Sequence, residues 1–379
     1  MYNEIFKIEE FIWSKIEEER RIGLLNGLSG VGLFYKFMVD YDSQEYSPKL
    51  ANIVEKIESI ISEEETLPSI CSGLAGYGIL LTNLTNIVSI DDSYLSDMDD
   101  ILLDFLKSQS NILDYDFLHG SLGIGQYFIE RHKSVQSEHS KAIVSDYYNT
   151  LLKNVQINFE NVIKQVEHDG SETIYFGLAH GIAGLINALF ISNKYVQFEK
   201  KYFNSSLHKL LNFLTKYELK NETFLYPNFF STIDNQIIKS RMAWCQGDLG
   251  IGNSLINIAT INEDEILSRK GKHLISRTFD FDLNKGDISD VGICHGISGV
   301  LLQYWLYYDK FKNSDKTNIL VWKEYLKNHT KNYSEFKAFH KGLYVDEINL
   351  LEGAAGIALT NLTIENKIDR NWISYFNLA

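Results

Sequence analysis

The chain has 379 residues, with 36 Lys+Arg against 50 Asp+Glu and a formal net charge of −14. That acidity gives no reason to expect a nucleic-acid backbone or an anionic membrane as partner, while 45% hydrophobic and 23% charged residues suit a packed globular protein rather than a disordered one. Three cysteines do not make a disulfide scaffold, no apolar run reaches the roughly 18 residues that span a bilayer, and the opening MYNEIFKIEEFIWSKIEEERR lacks the basic-then-apolar order of a signal peptide, so a cytoplasmic location is expected.

Two kinds of segment alternate along the chain. Residues 5–19, 49–62, 94–108, 143–165, 207–217, 266–279 and 318–328 carry apolar residues at i, i+3, i+4 and i+7 with charges between, the pattern of half-exposed helices. After each comes a more apolar stretch, at 31–41, 77–88, 124–132, 185–196, 251–261, 300–311 and 357–366. Several of these are apolar on more than one face, as in helices buried between two layers. With proline only at Pro48, Pro68 and Pro227, the helices can run uninterrupted.

At the start of each apolar stretch stands Gly-x-x-Gly: Gly27/Gly30, Gly73/Gly76, Gly120/Gly123, Gly181/Gly184, Gly247/Gly250, Gly296/Gly299 and Gly353/Gly356. Successive first glycines are 46, 47, 61, 66, 49 and 57 residues apart, long enough for two helices and their connections. An open solenoid would leave its terminal inner helices exposed, yet the last repeat, LLEGAAGIALTNL, is as apolar as the internal ones. The expected fold is therefore all-α: one domain over residues 1–379, an α/α toroid of seven helical hairpins. The glycines are read as serving φ > 0 turns and close backbone approach, not a phosphate cradle, since no Lys-Ser/Thr follows any pair.

In a closed ring all seven glycine loops gather at one end. The two residues before each first glycine are Leu25-Asn26, Cys71-Ser72, Leu118-His119, Ala179-His180, Cys245-Gln246, Cys294-His295 and Leu351-Glu352. All three cysteines of the chain occupy the first of these positions, where random placement predicts roughly 0.06. Cys71 alone is explained by a small buried residue. Cys245, Cys294 and His295 belong to adjacent repeats and form a Cys₂His set, three ligands with a fourth position open, as in catalytic zinc sites. Such a site holds a substrate thiol deprotonated. Asp116, His180 and Arg241 lie at the same mouth and complete a candidate site. His119 and Glu352 share the slot of His180 and read as structural loop residues.

GLAHGIAG, RMAWCQGDLGIG and GICHGISG, with the weaker GLSGVGL, SGLAGYGIL, HGSLGIG and EGAAGIAL, resemble the lanthionine synthetase C family of lantibiotic cyclases over essentially the whole chain. The W-C-x-G and C-H-G pair about fifty residues apart is the specific part. The resemblance implies a barrel of seven plus seven helices, zinc on Cys245, Cys294 and His295, and further active-site residues at Asp116, His180 and Arg241, the offset to Gly120 selecting Asp116 over Asp114. Some members carry an insert thought to grip the peptide's leader. Here the steps of 61 and 66 residues leave room for a few strands, around FLYPNFFSTIDNQII, and not for a large insert. The implied reaction is intramolecular Michael addition of a precursor-peptide Cys thiolate to dehydroalanine or dehydrobutyrine. Its implied partners are a dehydrated precursor peptide, a dehydratase and an exporter, in reach of a membrane-bound biosynthetic complex. Two alternatives share the pattern: an enzyme adding glutathione or another free thiol to dehydrated residues, and a non-catalytic, zinc-stabilised peptide-binding toroid.

Ring order makes one expectation sharp. Packed helices sit roughly 9 Å apart, so seven in a ring put repeat two about 20 Å from repeats five and six. Thiol side chains and zinc–sulfur bonds of about 2.3 Å cannot bridge that. Cys71→Ser should retain full zinc stoichiometry by metal analysis whereas Cys245→Ser should not; a folded, zinc-free Cys71→Ser protein would overturn the repeat order.

Overall fold

The computed structural model describes residues 2–88, 90–109, 114–166, 170–220, 222–312, 316–340 and 342–378. In chain order the first helices are α1 (Tyr2–Lys15), α2 (Leu28–Tyr41), α3 (Ser43–Glu63), α4 (Leu74–Leu84), α5 (Asp92–Ser108), α6 (Ser121–Ser134), α7 (Glu138–Ile157) and α8 (Phe159–Ile163). There follow α9 (Ile182–Ser192), α10 (Lys200–Lys216), α11 (Asp248–Asn262), α12 (Glu265–Ser276), α13 (Ile297–Lys310), α14 (Thr317–His329) and α15 (Ala354–Ile364). Each of the seven apolar stretches is a helix, and each begins on the residue after a first glycine.

The two helix classes start differently, and the chemistry of the preceding residue decides how. Outer helices α3 and α12 are capped by aspartates: Asp42 accepts from Gln44 N–H at 3.0 Å and Asp264 from Leu267 N–H at 2.9 Å. Ser137 forms a capping box on α7. Inner helices start on glycine, which has no side chain to offer. Their first N–H groups bond instead to carbonyls of their own incoming loop: Leu28 to Arg21 at 2.8 Å, Leu74 to Leu67 at 2.8 Å, Ser121 to Asp114 at 2.8 Å, Ile297 to Asp290 at 3.1 Å. The loop must fold flat onto the helix start to do this. At Gly73 a Cβ would lie 1.8 Å from the Leu67 carbonyl oxygen. Of the two jobs expected of the glycines, close approach is the general one. Among the seven first glycines only Gly247 has φ > 0, at 91°, and the others are extended.

The helices pack into two compact units. One comprises Met1–Ser108 and Ser289–Arg370, the other Gln109–Ile288 and Asn371–Ala379. In the first, α2 packs against α4 and α15, and α15 against α13, so the last repeat meets the first directly. Each inner helix is covered by the outer helix that follows it, α2 by α3, α4 by α5 and α13 by α14, while α15 takes α1 from the start of the chain. Arg21, whose guanidinium reaches Glu347 at 2.7 Å, joins the loops of repeats one and seven. The core between these layers holds Ile8, Phe34, Tyr35, Leu80, Leu302 and Trp322, all but fully buried. Each aliphatic or aromatic side chain so placed contributes about 1.5–3 kcal/mol.

In the second unit α9 packs against α6 and α11, with α7, α10 and α12 outside. The long steps supply a small antiparallel sheet in the order β1 (Gln165–Val166), β2 (Glu172–Tyr175), β3 (Phe229–Ser231), β4 (Ile237–Ile238); β3 and β4 fall in the segment where strands were expected, whereas β1 and β2 lie in the preceding long step, β1 where the outer helix was expected to end. The end of the chain returns here: Trp244 Nε1–H donates to Phe376 O at 2.8 Å and Asn377 to Gly184 O at 2.9 Å. A further hairpin, β5 (Lys337–His340) and β6 (Leu343–Asp346), lies in the 57-residue step of the first unit and has no counterpart in the helical reading. Gly342, at φ 85°, turns it.

Gly23 tests how tightly neighbouring loops approach. An added Cβ would sit 1.9 Å from the Cys71 carbonyl oxygen, backbone that cannot yield, whereas one on Gly32 meets only the tip of Leu80 at 2.7 Å. Gly23→Ala should destabilise by at least about 2 kcal/mol and Gly32→Ala by less than half as much. Urea denaturation curves of the two variants check the ordering.

Candidate active site

The site is built on the loops that precede the inner helices. Within the first unit Cys294 N–H donates to Leu351 O at 3.0 Å, Leu351 N–H to Leu25 O at 2.7 Å and Asn26 N–H to Cys71 O at 3.2 Å. Within the second, Phe117 N–H donates to Ala179 O at 2.9 Å and Ala179 N–H to Cys245 O at 3.2 Å. Loops thus touch at or beside the residue two before the first glycine, and Leu25, Cys71, Leu118, Ala179, Cys245, Cys294 and Leu351 are all buried. The residue immediately before the glycine is more open: Asn26, Ser72, His180, Gln246, His295 and Glu352 are half-buried and His119 is exposed. Within each unit a buried residue is therefore followed by a more accessible polar one at the start of each inner helix.

In the second unit His180 Nδ1 is hydrogen-bonded to Asp116 Oδ2. Asp116 is 3% exposed, and its Oδ1 accepts from His119 N–H at 2.7 Å. Asp114 serves Asp116 itself, its Oδ1 accepting the Asp116 N–H at 2.9 Å, so the carboxylate on His180 is that of Asp116. Burial by itself would raise the Asp116 carboxyl, but the hydrogen bond and charge of His180, with the His119 N–H, hold it below the usual carboxylate range. Burial likewise works to lower His180, yet the hydrogen bond and charge of Asp116, then the charge of Cys245, lift it above the ordinary histidine value. His119, stacked on His180 at 6.3 Å, is pushed down, first by partial desolvation of its ring and then by the charge of His180. With Nδ1 committed to Asp116, Nε2 is the nitrogen free for proton transfer.

Arg241 occupies the position six before Gly247, and its guanidinium lies 3.5 Å from Asp287 Oδ2, an exposed carboxylate. In the first unit Cys294 Sγ faces His295 Nε2 at 3.5 Å, while His295 Nδ1 lies 3.9 Å from Glu352 Oε1. The donor chemistry suits zinc: a buried thiol beside the imidazole nitrogen, with a carboxylate on the ring's far side. Cys71 is separated from Cys294 by the loops of repeats seven and one. None of the three cysteines is in a disulfide.

Two residues near His180 were not singled out from sequence. Gln165 Nε2–H groups donate to Asp116 Oδ2 at 3.2 Å and to the His180 carbonyl at 2.7 Å. The Tyr175 ring lies 5.6 Å from that of His180. Both stand on β1 and β2, in the long step whose length was the only signal they gave.

Residues 18–377 match the family described as lanthionine synthetase C-like protein. The chain belongs to that family. Among solved structures it is similar to nisin cyclase, with TM-score 0.80 and 20% identity over 100% of this chain and 98% of that one. The fold is accordingly that of nisin cyclase, the α/α toroid expected from the repeats. An α-1,6-mannanase variant of Salegentibacter sp. (TM-score 0.45, 10% identity, 96% and 98% of the two chains) and a cellobiose 2-epimerase of Bacillus thermoamylovorans (TM-score 0.45, 12% identity, 76% and 86%) are far more distant. No helix among the described residues is long and apolar enough to cross a membrane.

The electrostatics of the pair can be tested directly. Asp116→Asn removes the charge that lifts His180, leaving burial to dominate, so the His180 imidazolium should lose its proton at lower pH than in the unaltered protein. Histidine ring NMR followed over a pH series reads this; an unchanged His180 titration would mean that Asp116 does not hold it.

Proposed function

We propose that the protein is a zinc-dependent lanthipeptide cyclase, which closes thioether rings by adding a Cys thiolate of a precursor peptide to a dehydroalanine or dehydrobutyrine of the same peptide. The observation that carries this reading is the buried Asp116 on Nδ1 of His180, in a chain of the lanthionine synthetase C-like family. Cys245, Cys294 and His295 are the proposed zinc ligands, and the whole chain, 1–379, acts as one domain. The metal, when bound, would supply Lewis acidity that keeps a substrate thiol ionised near neutral pH.

The chain's own residues then handle one proton and one developing charge. His180 Nε2 takes up the proton that leaves the thiol, and Asp116 stabilises the imidazolium that results. As the C–S bond forms at Cβ, the displaced π pair moves onto the carbonyl as an enolate, beside which Arg241 supplies fixed positive charge. His180 Nε2 returns its proton to Cα, and the catalytic residue ends as it began. The substrate reaches the protein already dehydrated, so a dehydratase acts before it and an exporter after it, on the cytoplasmic side.

A dehydrated precursor peptide incubated with the protein and then alkylated should show fewer thiol adducts by mass spectrometry than the untreated peptide. His180→Ala should slow this about 10²–10⁴-fold with zinc content unchanged. Cys294→Ala should lose both zinc and activity. Undiminished zinc in Cys294→Ala sinks the ligand assignment, and zinc loss in His180→Ala sinks the proton-transfer role.

A further inference from the structure

The geometry points to Gln165 as a positioning residue for His180, through which the four-stranded sheet braces the orientation that Asp116, from the third glycine loop, gives the proton-transferring imidazole. This deepens the cyclase reading and rests on it. The helical frame places only the backbone of His180, at the end of a loop. The ring can still turn about χ1 and χ2, and what stops it is the bond from Nδ1 to Asp116. Asp116 must in turn be held. Its Oδ1 takes the His119 N–H, which leaves rotation about the carboxylate axis opposed by whatever else binds Oδ2.

Gln165 meets that need with one group. Its amide nitrogen carries two hydrogens and finds two acceptors, Asp116 Oδ2 at 3.2 Å and His180 O at 2.7 Å. One amide therefore clamps the carboxylate that holds the ring to the backbone that bears it. Water cannot replace it at a carboxylate as buried as Asp116, so losing the donor leaves a charged oxygen underbonded. The clamp is itself anchored by sheet register. Gln165 pairs with Thr173, Thr173 with Ser231, and Tyr175 with Phe229. Tyr175 closes against the His180 ring from the same sheet, so the sheet touches the pair at two points.

The test uses the full chain with Gln165→Met, which keeps length and removes the donors, and Gln165→Ala, which adds no bulk should methionine disturb folding. Two readouts are taken: steady-state cyclisation of a dehydrated precursor, and the low-field proton resonance of His180 Nδ1–H, assigned by its loss in His180→Ala. Expected are a roughly tenfold lower kcat with KM within twofold, unchanged zinc content, and a weakened or exchange-broadened Nδ1–H resonance. Gln165→Glu, which sets a second carboxylate against Asp116, should lower kcat further. An unaltered resonance together with unaltered kcat overturns the inference. If the unaltered protein fails to cyclise any dehydrated peptide, the functional reading falls, and the resonance alone then decides the positioning role.

Discussion

The contact on which everything else depends is the backbone hydrogen bond passed from one inner-helix loop to the next. It is made at or beside the residue two before a first glycine, as Ala179 N–H makes it to Cys245 O and Leu351 N–H to Leu25 O. A peptide-to-peptide bond of this kind leaves no room for side chains between the strands of loop. Glycine consequently appears not only at the helix start but also four residues earlier, at Gly23, Gly177 and Gly292. At Gly177 a Cβ would fall 2.0 Å from the Cys245 carbonyl oxygen. This demand accounts for the glycines four before the helix start, while those at the helix start answer to their own incoming loop, as Gly73 does to the Leu67 carbonyl.

The site inherits its form from the same demand. Because one position is pinned between loops and the next is turned outward, a rim built this way offers buried and accessible residues in strict alternation. A thiol fits the pinned position in place of Leu or Ala at little cost, and a histidine fits the outward one. Within each unit, side chains from different repeats reach this edge without any departure from the repeat's backbone. What the repeat cannot do is orient a side chain once it points outward. In the second unit that work falls to Asp116 and to the sheet.

This division also separates what was legible in the sequence from what was not. Seven inner helices could be read to within a few residues because a glycine pair and an apolar run are local signals, and Cys245, Cys294 and His295 stood out because their slots recur. The hairpin of β5 and β6 escaped because its strands are short and set in a step of 57 residues, shorter than the 61 and 66 in which strands were expected. Gln165 escaped for a different reason: nothing in NVIKQV marks a side chain whose role depends on register with Thr173, eight residues on across β1 and β2. The pairing of Arg241 with Asp287 was equally hidden, since an exposed carboxylate in NKGDIS carries no mark of its partner.

The first unit draws on both ends of the chain, with Gln109–Ile288 made between its two portions. On a ribosome adding about 5–20 residues per second, α2 and α4 emerge roughly 10–40 s before α13 does. α1 waits longer still, since the helix it covers is α15. During that interval the apolar flank of α2 that α15 will cover has no native partner, and the nascent chain carries an unclosed hydrophobic seam. The second unit has its own version of the delay, because the carbonyl that takes the Trp244 indole N–H belongs to Phe376. Biosynthesis of this fold thus cannot proceed repeat by repeat to a finished product. It ends in a single late closure, and a chain stalled before α15 would present its longest-exposed sticky surface to chaperones and proteases alike.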